Sequence, residues 1–277
     1  MSLAFDQATA VEQVAPGRFT HIFGDEWTGL GGPHGGFLAA VLLRAMEAEV
    51  GSGRAPRSLT VHFAAPPAIG PSLIEVREER RGGRLSTVSA RLTQGNATMA
   101  VALGALSAPR EGPDIADAVM PGVPLPEDLA PTPDRPHQPR FADHFDYRYA
   151  LGGRVFHGGD RAYSGGWLRL RRPVPIDAAV VACLADAWMP ALFTRIDYRA
   201  YAPTVDLTVH FRAALPLIEV GPEEFLLGVF SSKRAEGGFW EEDGELWTRG
   251  GRLLAQSRQL ALVVPVGISS RRQGVGG

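Results

Sequence analysis

The sequence predicts an α+β fold: two matching halves, each an antiparallel sheet wrapped around one long buried helix. Three observations predict it. Residues 37–43, Phe-Leu-Ala-Ala-Val-Leu-Leu, are apolar on every side for two turns, and only Arg44, Glu47 and Glu49 bring polarity back. A helix apolar all round is buried all round. The segments that follow alternate apolar and polar with a period of two, as strands with one buried face do. Finally, Leu59-Thr-Val-His-Phe63 returns letter for letter as Leu207-Thr-Val-His-Phe211, each time just past a helix-to-strand connection. Five shared residues at matching places in two matching element orders indicate an internal repeat.

Residues 10–23 read as two short strands around the Pro16-Gly17 turn, ending in Phe19-Thr-His21-Ile-Phe23. A glycine-rich loop, Gly29 to Gly32, leads into the first helix, which Gly51 and Gly53 stop after Val50. Strands over Ser58–Phe63, Ser72–Glu79, Leu85–Thr93 and Ala97–Ser107 are joined by glycine turns at Gly70, Gly82-Gly83 and Gly95. Such short turns suit sequential antiparallel strands. Residues 109–140 hold nine of the chain's 22 prolines and little apolar periodicity, which makes them a linker or a long surface crossover. Strand-like segments at 141–149 and 162–170 then precede a second apolar run, Asp177 to Met189, stopped by Pro190. Four more strands are expected near 204–214, 224–232, 238–248 and 252–264. The expected division is thus 1–108, a linker over 109–140, 141–265, and a polar, glycine-rich tail over 266–277 that is expected to be disordered.

Composition bounds the function. Of 277 residues, 45% are hydrophobic and 21% charged, enough apolar content for a real core. A net charge of −2 gives no case for a nucleic-acid partner. The single cysteine, Cys183, excludes an internal disulfide and suits a reducing compartment. The opening Met-Ser-Leu-Ala-Phe-Asp has no signal-peptide pattern and no apolar run reaches membrane-spanning length, so a cytoplasmic location is the expectation. The seven histidines show no metal spacing, and neither Gly-x-Ser-x-Gly nor a Walker loop is present.

Two places carry candidate chemistry. His34-Gly35-Gly36 opens the first helix. Free N–H groups and the positive end of the helix dipole gather there, and two glycines leave room for close approach. This is either an oxyanion or phosphate site or a tight strand-to-helix turn with nothing bound. Asp186 stands in the otherwise apolar Ala178–Met189. A carboxylate buried there needs hydrogen bonds or a proton. It is either functional or turned to solvent near the helix end, where the dipole disfavours an anion. Trp188, Met189, Leu192 and Phe193 follow it, as an acyl pocket or as ordinary core. Cys183 reads as a small core residue.

An antiparallel sheet around one long helix, present twice, is a double hotdog. The chain resembles the TesB-like acyl-CoA thioesterases, whose pattern covers roughly residues 10–108 and 141–264. The carriers are His34-Gly-Gly-Phe37, Ser58-Leu-Thr-Val-His-Phe63, Leu184-Ala-Asp186-Ala, Pro203-Thr-Val-Asp-Leu-Thr-Val-His-Phe211 and Ala255-Gln-Ser-Arg-Gln259. In similar single-hotdog thioesterases an acid lies nine residues after the histidine, and the glycine N–H of one subunit faces the acid of its partner. Here position 43 is Leu43. Nine residues before Asp186 stands Asp177, followed by Ala178 and Ala179 instead of glycines. The resemblance therefore implies one composite site, with the glycine end from the first helix and the acid from the second.

It further implies that Asp186, Thr204 and Gln259 hold an attacking water, with Asp186 as general base or water-orienting group. The backbone N–H of Gly35 or Gly36 would stabilise the oxyanion. His34 would polarise the site or hold the loop. Thr208 rivals Thr204, two residues on and by strand parity on the same face; Asp206 would share that face, and Gln256 neighbours Gln259. His62 and His210, at equivalent points of the repeat, read as packing or hydrogen-bonding groups. Arg57, Arg80, Arg81 and Arg84 could meet CoA phosphates or simply solvate a surface. The implied activity is acyl-CoA hydrolysis without metal or other cofactor, in a monomer or homodimer. A non-catalytic acyl-CoA or fatty-acyl binder and a hotdog hydratase or dehydratase are the rivals; the last wants a His with an Asp or Glu on the hotdog helix, and neither helix shows that pair.

Overall fold

The computed structural model describes residues 4–134 and 138–266. The expected tail falls almost wholly outside the described residues. In order, the elements are α1 (Phe5–Ala8), β1 (Glu12–Ala15), β2 (Arg18–Phe23), α2 (Gly35–Val50), β3 (Ala55–Phe63), β4 (Gly70–Arg81), β5 (Leu85–Gln94) and β6 (Ala97–Ser107). After the crossover come β7 (Phe145–Gly152), β8 (Ala162–Leu170), α3 (Ala178–Leu184), β9 (Ala200–Tyr201), β10 (Thr204–Phe211), β11 (Leu226–Ser232), β12 (Ala235–Glu236), β13 (Phe239–Trp247), β14 (Leu253–Leu262) and β15 (Val264–Pro265). Residues 141–144, expected to begin a strand, belong instead to a 3-10 turn over Arg140–His144, and the strand starts at Phe145.

The two halves do not make two separate sheets. One antiparallel sheet runs β1-β2-β4-β5-β6-β3-β10-β14-β13-β11-β8-β7, with β12 added beside β13. Read outward from the β3–β10 seam, the first half's strands mirror the second's. The repeated pentapeptide forms that seam: Leu59 pairs with Val209, Val61 with Leu207, and Thr60 with Thr208. Thr60 and Thr208 are equivalent positions of the repeat, so the local two-fold passes between them, and their hydroxyls meet at 3.0 Å. Two strands identical over this stretch give up both edges to each other, which removes exposed backbone that would otherwise invite other chains.

α2 has 16 residues, is buried from Gly36 through Leu43, lies against β3–β6 and closes at Gly51, whose φ is +79°. The second helix is a correction: α3 has only 7 residues and ends before Asp186. The reason is local. Position 190, which would supply the helical N–H for the Asp186 carbonyl, is proline and has none. The chain tightens instead, with Asp186 N–H on the Cys183 carbonyl and Ala187 N–H on that of Leu184, both at 3.2 Å. It then turns into a 3-10 segment over Ala191–Thr194. α3 packs on α2, and one core cluster runs through both halves.

The described part of the proline-rich stretch is a surface crossover, of which residues 120–129 pack on the second half's sheet. Met120, Val123 and Leu129 pack on Trp167, Leu227 and Trp247, and the Trp167 indole N–H donates to the Pro124 carbonyl at 2.8 Å. No helix among the described residues is long and apolar enough to cross a membrane.

Candidate active site

His34 caps α2: its Nδ1 accepts the Phe37 N–H at 3.2 Å. That lone pair being used, the ring proton sits on Nε2, which donates to the Asp186 carbonyl at 2.8 Å. The histidine thus supplies the donor that Pro190 withholds from the end of α3. Its ring is held by stacking on Phe141, with centroids 4.2 Å apart.

The Asp186 side chain is 10% exposed, so it is not turned to solvent. Its Oδ2 accepts the Gly36 N–H at 2.7 Å and lies 3.3 Å from His34 Nε2. An acid unfavourable at the end of its own helix is therefore placed at the positive end of the other half's helix. Burial pushes its pKa up, opposed by His34 and the Gly36 hydrogen bond. Both glycines are required by this approach. A Cβ on Gly35 would meet Oδ2 at 2.8 Å, and one on Gly36 would meet the Cys183 carbonyl oxygen at 2.5 Å. With Gly36 engaged by Asp186 and Phe37 by His34, Gly35 keeps the open N–H of the first turn among the described residues.

The two-fold mate of this arrangement is closed. Asp177 caps α3 as His34 caps α2, accepting the N–H of the residue three positions on, Val180, at 2.9 Å. Its other oxygen takes Arg44 of α2 at 2.7 Å. Ala178 and Ala179 stand where the glycines would be, and the buried Leu43 stands where the acid would be.

A second cluster lies across β10, β14 and β13. Thr204 Oγ1 donates to Gln259 Oε1 at 3.0 Å. Thr208 does not compete, because it is turned to the seam and Thr60. Strand parity would put Thr204, Asp206 and Thr208 together, but a bulge between Thr204 and Asp206 breaks it: Thr204 pairs with Ala261 and Asp206 with Leu260. An extra residue reverses the facing of everything beyond it. Thr204 therefore shares the inner face with Leu207 and Gln259, while Asp206, Thr208 and Gln256 point the other way with the exposed His62 and His210.

Sequence reasoning missed Glu242. It lies opposite Gln259 and is 3% exposed. Its Oε1 accepts Gln259 Nε2–H at 2.8 Å and its Oε2 accepts the Ala191 N–H at 2.6 Å. Burial raises its pKa to about 8, with the charge of Asp186 among the smaller causes. The available signal was parity: Glu242 is in phase with Trp240 and Leu246, the inward residues of β13.

The site thus has two parts, Asp186–Gly36–His34 and Thr204–Gln259–Glu242–Ala191, joined through the 186–191 turn. No hydrogen bond among the described residues links Asp186 directly to Thr204 or Gln259. Trp188, Leu192 and Phe193 are buried beside this turn, and the Trp188 indole donates to Ser164 Oγ at 2.9 Å. Cys183 is wholly buried. Arg57, Arg80, Arg81 and Arg84 are exposed. No group of three His, Cys, Asp or Glu among the described residues could hold a metal ion.

One continuous antiparallel sheet of two mirrored halves, with the buried α2 against it and the short α3 packed on α2, is a hotdog arrangement. Residues 23–107 match the family model of the acyl-CoA thioesterase N-terminal domain, and residues 126–263 that of the C-terminal domain. The chain belongs to the TesB-like acyl-CoA thioesterase family. It is similar to a conserved hotdog-fold protein of unknown function from Alicyclobacillus acidocaldarius, at 28% identity and a TM-score of 0.86 over 95% of this chain and 98% of that one. An acyl-CoA thioesterase II from Mycobacterium marinum shares the fold, with a TM-score of 0.76 at 22% identity over 95% and 100% of the two chains. An uncharacterised protein of Mycobacterium tuberculosis is 28% identical over 86% of this chain and 88% of its own length.

Proposed function

We propose that this protein hydrolyses acyl-CoA thioesters at a single site per chain, by direct attack of a water activated by Asp186. The observation that carries the reading is the Asp186 carboxylate held on the Gly36 N–H at 2.7 Å. A buried carboxylate whose ionised form is disfavoured is a stronger base than one in water. Gly36 and His34 keep it oriented and oppose that cost. Thr204 and the free N–H of Gln259 would hold the water, and the open Gly35 N–H would meet the developing oxyanion. Leu43 and the Ala178-Ala179 pair support one site over two, because the mate position has neither the acid nor the glycines.

The hydratase or dehydratase reading gains a His–acid contact from the pairing of His34 with Asp186. Against it, both ring nitrogens of His34 are committed, one to Phe37 and one to the Asp186 carbonyl. A histidine so engaged serves as a brace, not as a mobile proton carrier. A non-catalytic binder would have no use for a buried, destabilised carboxylate at the glycine end of a helix.

The test is CoA release from short, medium, long and aromatic acyl-CoAs, with wild type beside Asp186→Asn. A loss of at least about a hundredfold in the folded variant is the expected outcome. Binding without turnover on any thioester would favour the binder, and turnover that survives the substitution would remove Asp186 as the base.

A further inference from the structure

Both oxygens of the buried Glu242 carboxyl are engaged. One oxygen grips the Gln259 amide and the other the Ala191 N–H. Ala191 lies five residues past Asp186, just after Pro190. A single buried side chain thus touches both the strand that bears Gln259 and the turn that follows Asp186.

We propose that Glu242 is a positioning residue of this site: it decides which end of the Gln259 amide faces Thr204, and it anchors the turn that carries Asp186. The proposal rests on the roles given above to Gln259 and Asp186. A threonine hydroxyl both donates and accepts, so Thr204 alone cannot orient an amide. The Ala191 N–H only donates, which commits Glu242 Oε2 as an acceptor. An ionised Glu242 then also accepts at Oε1, selects the Nε2 end of Gln259 and turns Oε1 to Thr204. A proton on Oε1 makes it a donor instead, and the amide can turn over. Burial raises the carboxyl to about 8, opposed by its two N–H bonds, while Asp186 and Glu241 add negative charge nearby. Glu241 itself faces Arg258 at 3.7 Å. The amide's orientation is therefore tied to a group that titrates close to neutrality. A residue needed only for packing would be cheaper as Leu or Met, since a buried carboxyl carries a desolvation cost.

Glu242→Gln and Glu242→Met separate positioning from packing. The glutamine keeps its oxygen on Ala191 and presents NH2 to Gln259, which must then turn over; the methionine fills the space and makes neither bond. The first readout is the side-chain amide resonances of Gln259, assigned by their loss in Gln259→Met and followed from about pH 6 to 10. They are expected to titrate in wild type with a midpoint near 8 and to stand still in Glu242→Gln. The second is kcat and KM on whichever acyl-CoA the wild type hydrolyses. Glu242→Gln should lower kcat by about tenfold or more, with KM within about twofold and the melting temperature little changed. Resonances that neither titrate in wild type nor differ in Glu242→Gln overturn the proposal. So does a kcat within about twofold of wild type, or an activity loss that merely follows the melting temperature in both variants. If the wild type hydrolyses no acyl-CoA, the thioesterase reading fails on its own, and the amide resonances still decide whether Glu242 sets Gln259.

Discussion

The Gly36 N–H donates to the Asp186 carboxylate at 2.7 Å across 150 positions of sequence. One bond satisfies a free N–H at the start of α2 and neutralises part of the cost of burying an acid past the end of α3. It also holds the two halves together where they meet. The consequences of that bond, and of the groups around it, can be measured.

Gly36→Ala should destabilise the protein by about 1–3 kcal/mol, the usual range for an overfilled core. Its Cβ would meet the Cys183 carbonyl oxygen at 2.5 Å and both Asp186 Cβ and His34 Cε1 at 2.9 Å. The carbonyl is backbone and yields only if α3 moves off α2. In Gly35→Ala the tightest contact, at 2.8 Å, is with Asp186 Oδ2, the end of a side chain that can rotate. That variant should melt closer to wild type yet lose activity, because the carboxylate is displaced. Thermal melts beside turnover separate the two, and equal melting of Gly36→Ala and wild type would contradict the geometry.

His34 does two jobs that can be split. Asparagine caps helices well but is too short to reach the Asp186 carbonyl. His34→Ala should lose about 1 kcal/mol of capping, and more for the stranded carbonyl. His34→Asn should recover the capping share alone, melting between His34→Ala and wild type. Both should lose activity to a similar degree. Full activity in His34→Asn would reduce the histidine to a cap.

Thr204→Val removes the hydroxyl on Gln259, and Thr208→Val the one on Thr60. The first should lower kcat with little change in stability. The second should leave kcat alone and cost about 1 kcal/mol, as one ordinary hydrogen bond does. The reverse pattern in kcat would mean that the β10 bulge does not persist in solution.

Glu47 and Glu242 should each make stability fall as pH rises from about 5 to 8, while His21 and His144, lowered by burial, act the other way below about 6.5. Glu47 is raised from 4.5 to about 7 by burial, then by Asp177, against Arg44. Glu242 is raised from 4.5 to about 8, chiefly by burial. Between the unfolded and folded values the folded chain binds more protons, so the stabilisation is complete below the lower value and is lost as pH climbs through the upper one. A full proton gives a slope of about 1.4 kcal/mol per pH unit. Denaturant unfolding at several pH values checks this; Glu47→Gln should flatten the profile up to about 7, and Glu242→Gln up to about 8. Variants whose profiles match that of the wild type would place both carboxyls in water.

Composition and period alone gave α2, the strands of each half and the repeat, because an all-apolar run or an alternating one states which of its sides are buried. The meeting of a glycine end with an acid from the opposite half came only from the resemblance to the thioesterase family. Tertiary structure decided what those sides meet. The repeated pentapeptide signalled duplication, but only pairing β3 with β10 made one sheet of two. Asp177–Met189 looked like one helix, yet Pro190 left the Asp186 carbonyl without a donor, and His34, 152 positions away, supplied it. Thr204 and Thr208 were equivalent by parity until one bulge reversed the facing. Glu242 hid in a run of acids, although it was in phase with Trp240. Period records burial along one strand; it carries no record of the neighbour across the core that makes a buried polar group tolerable, and that neighbour is what gives the group its chemistry.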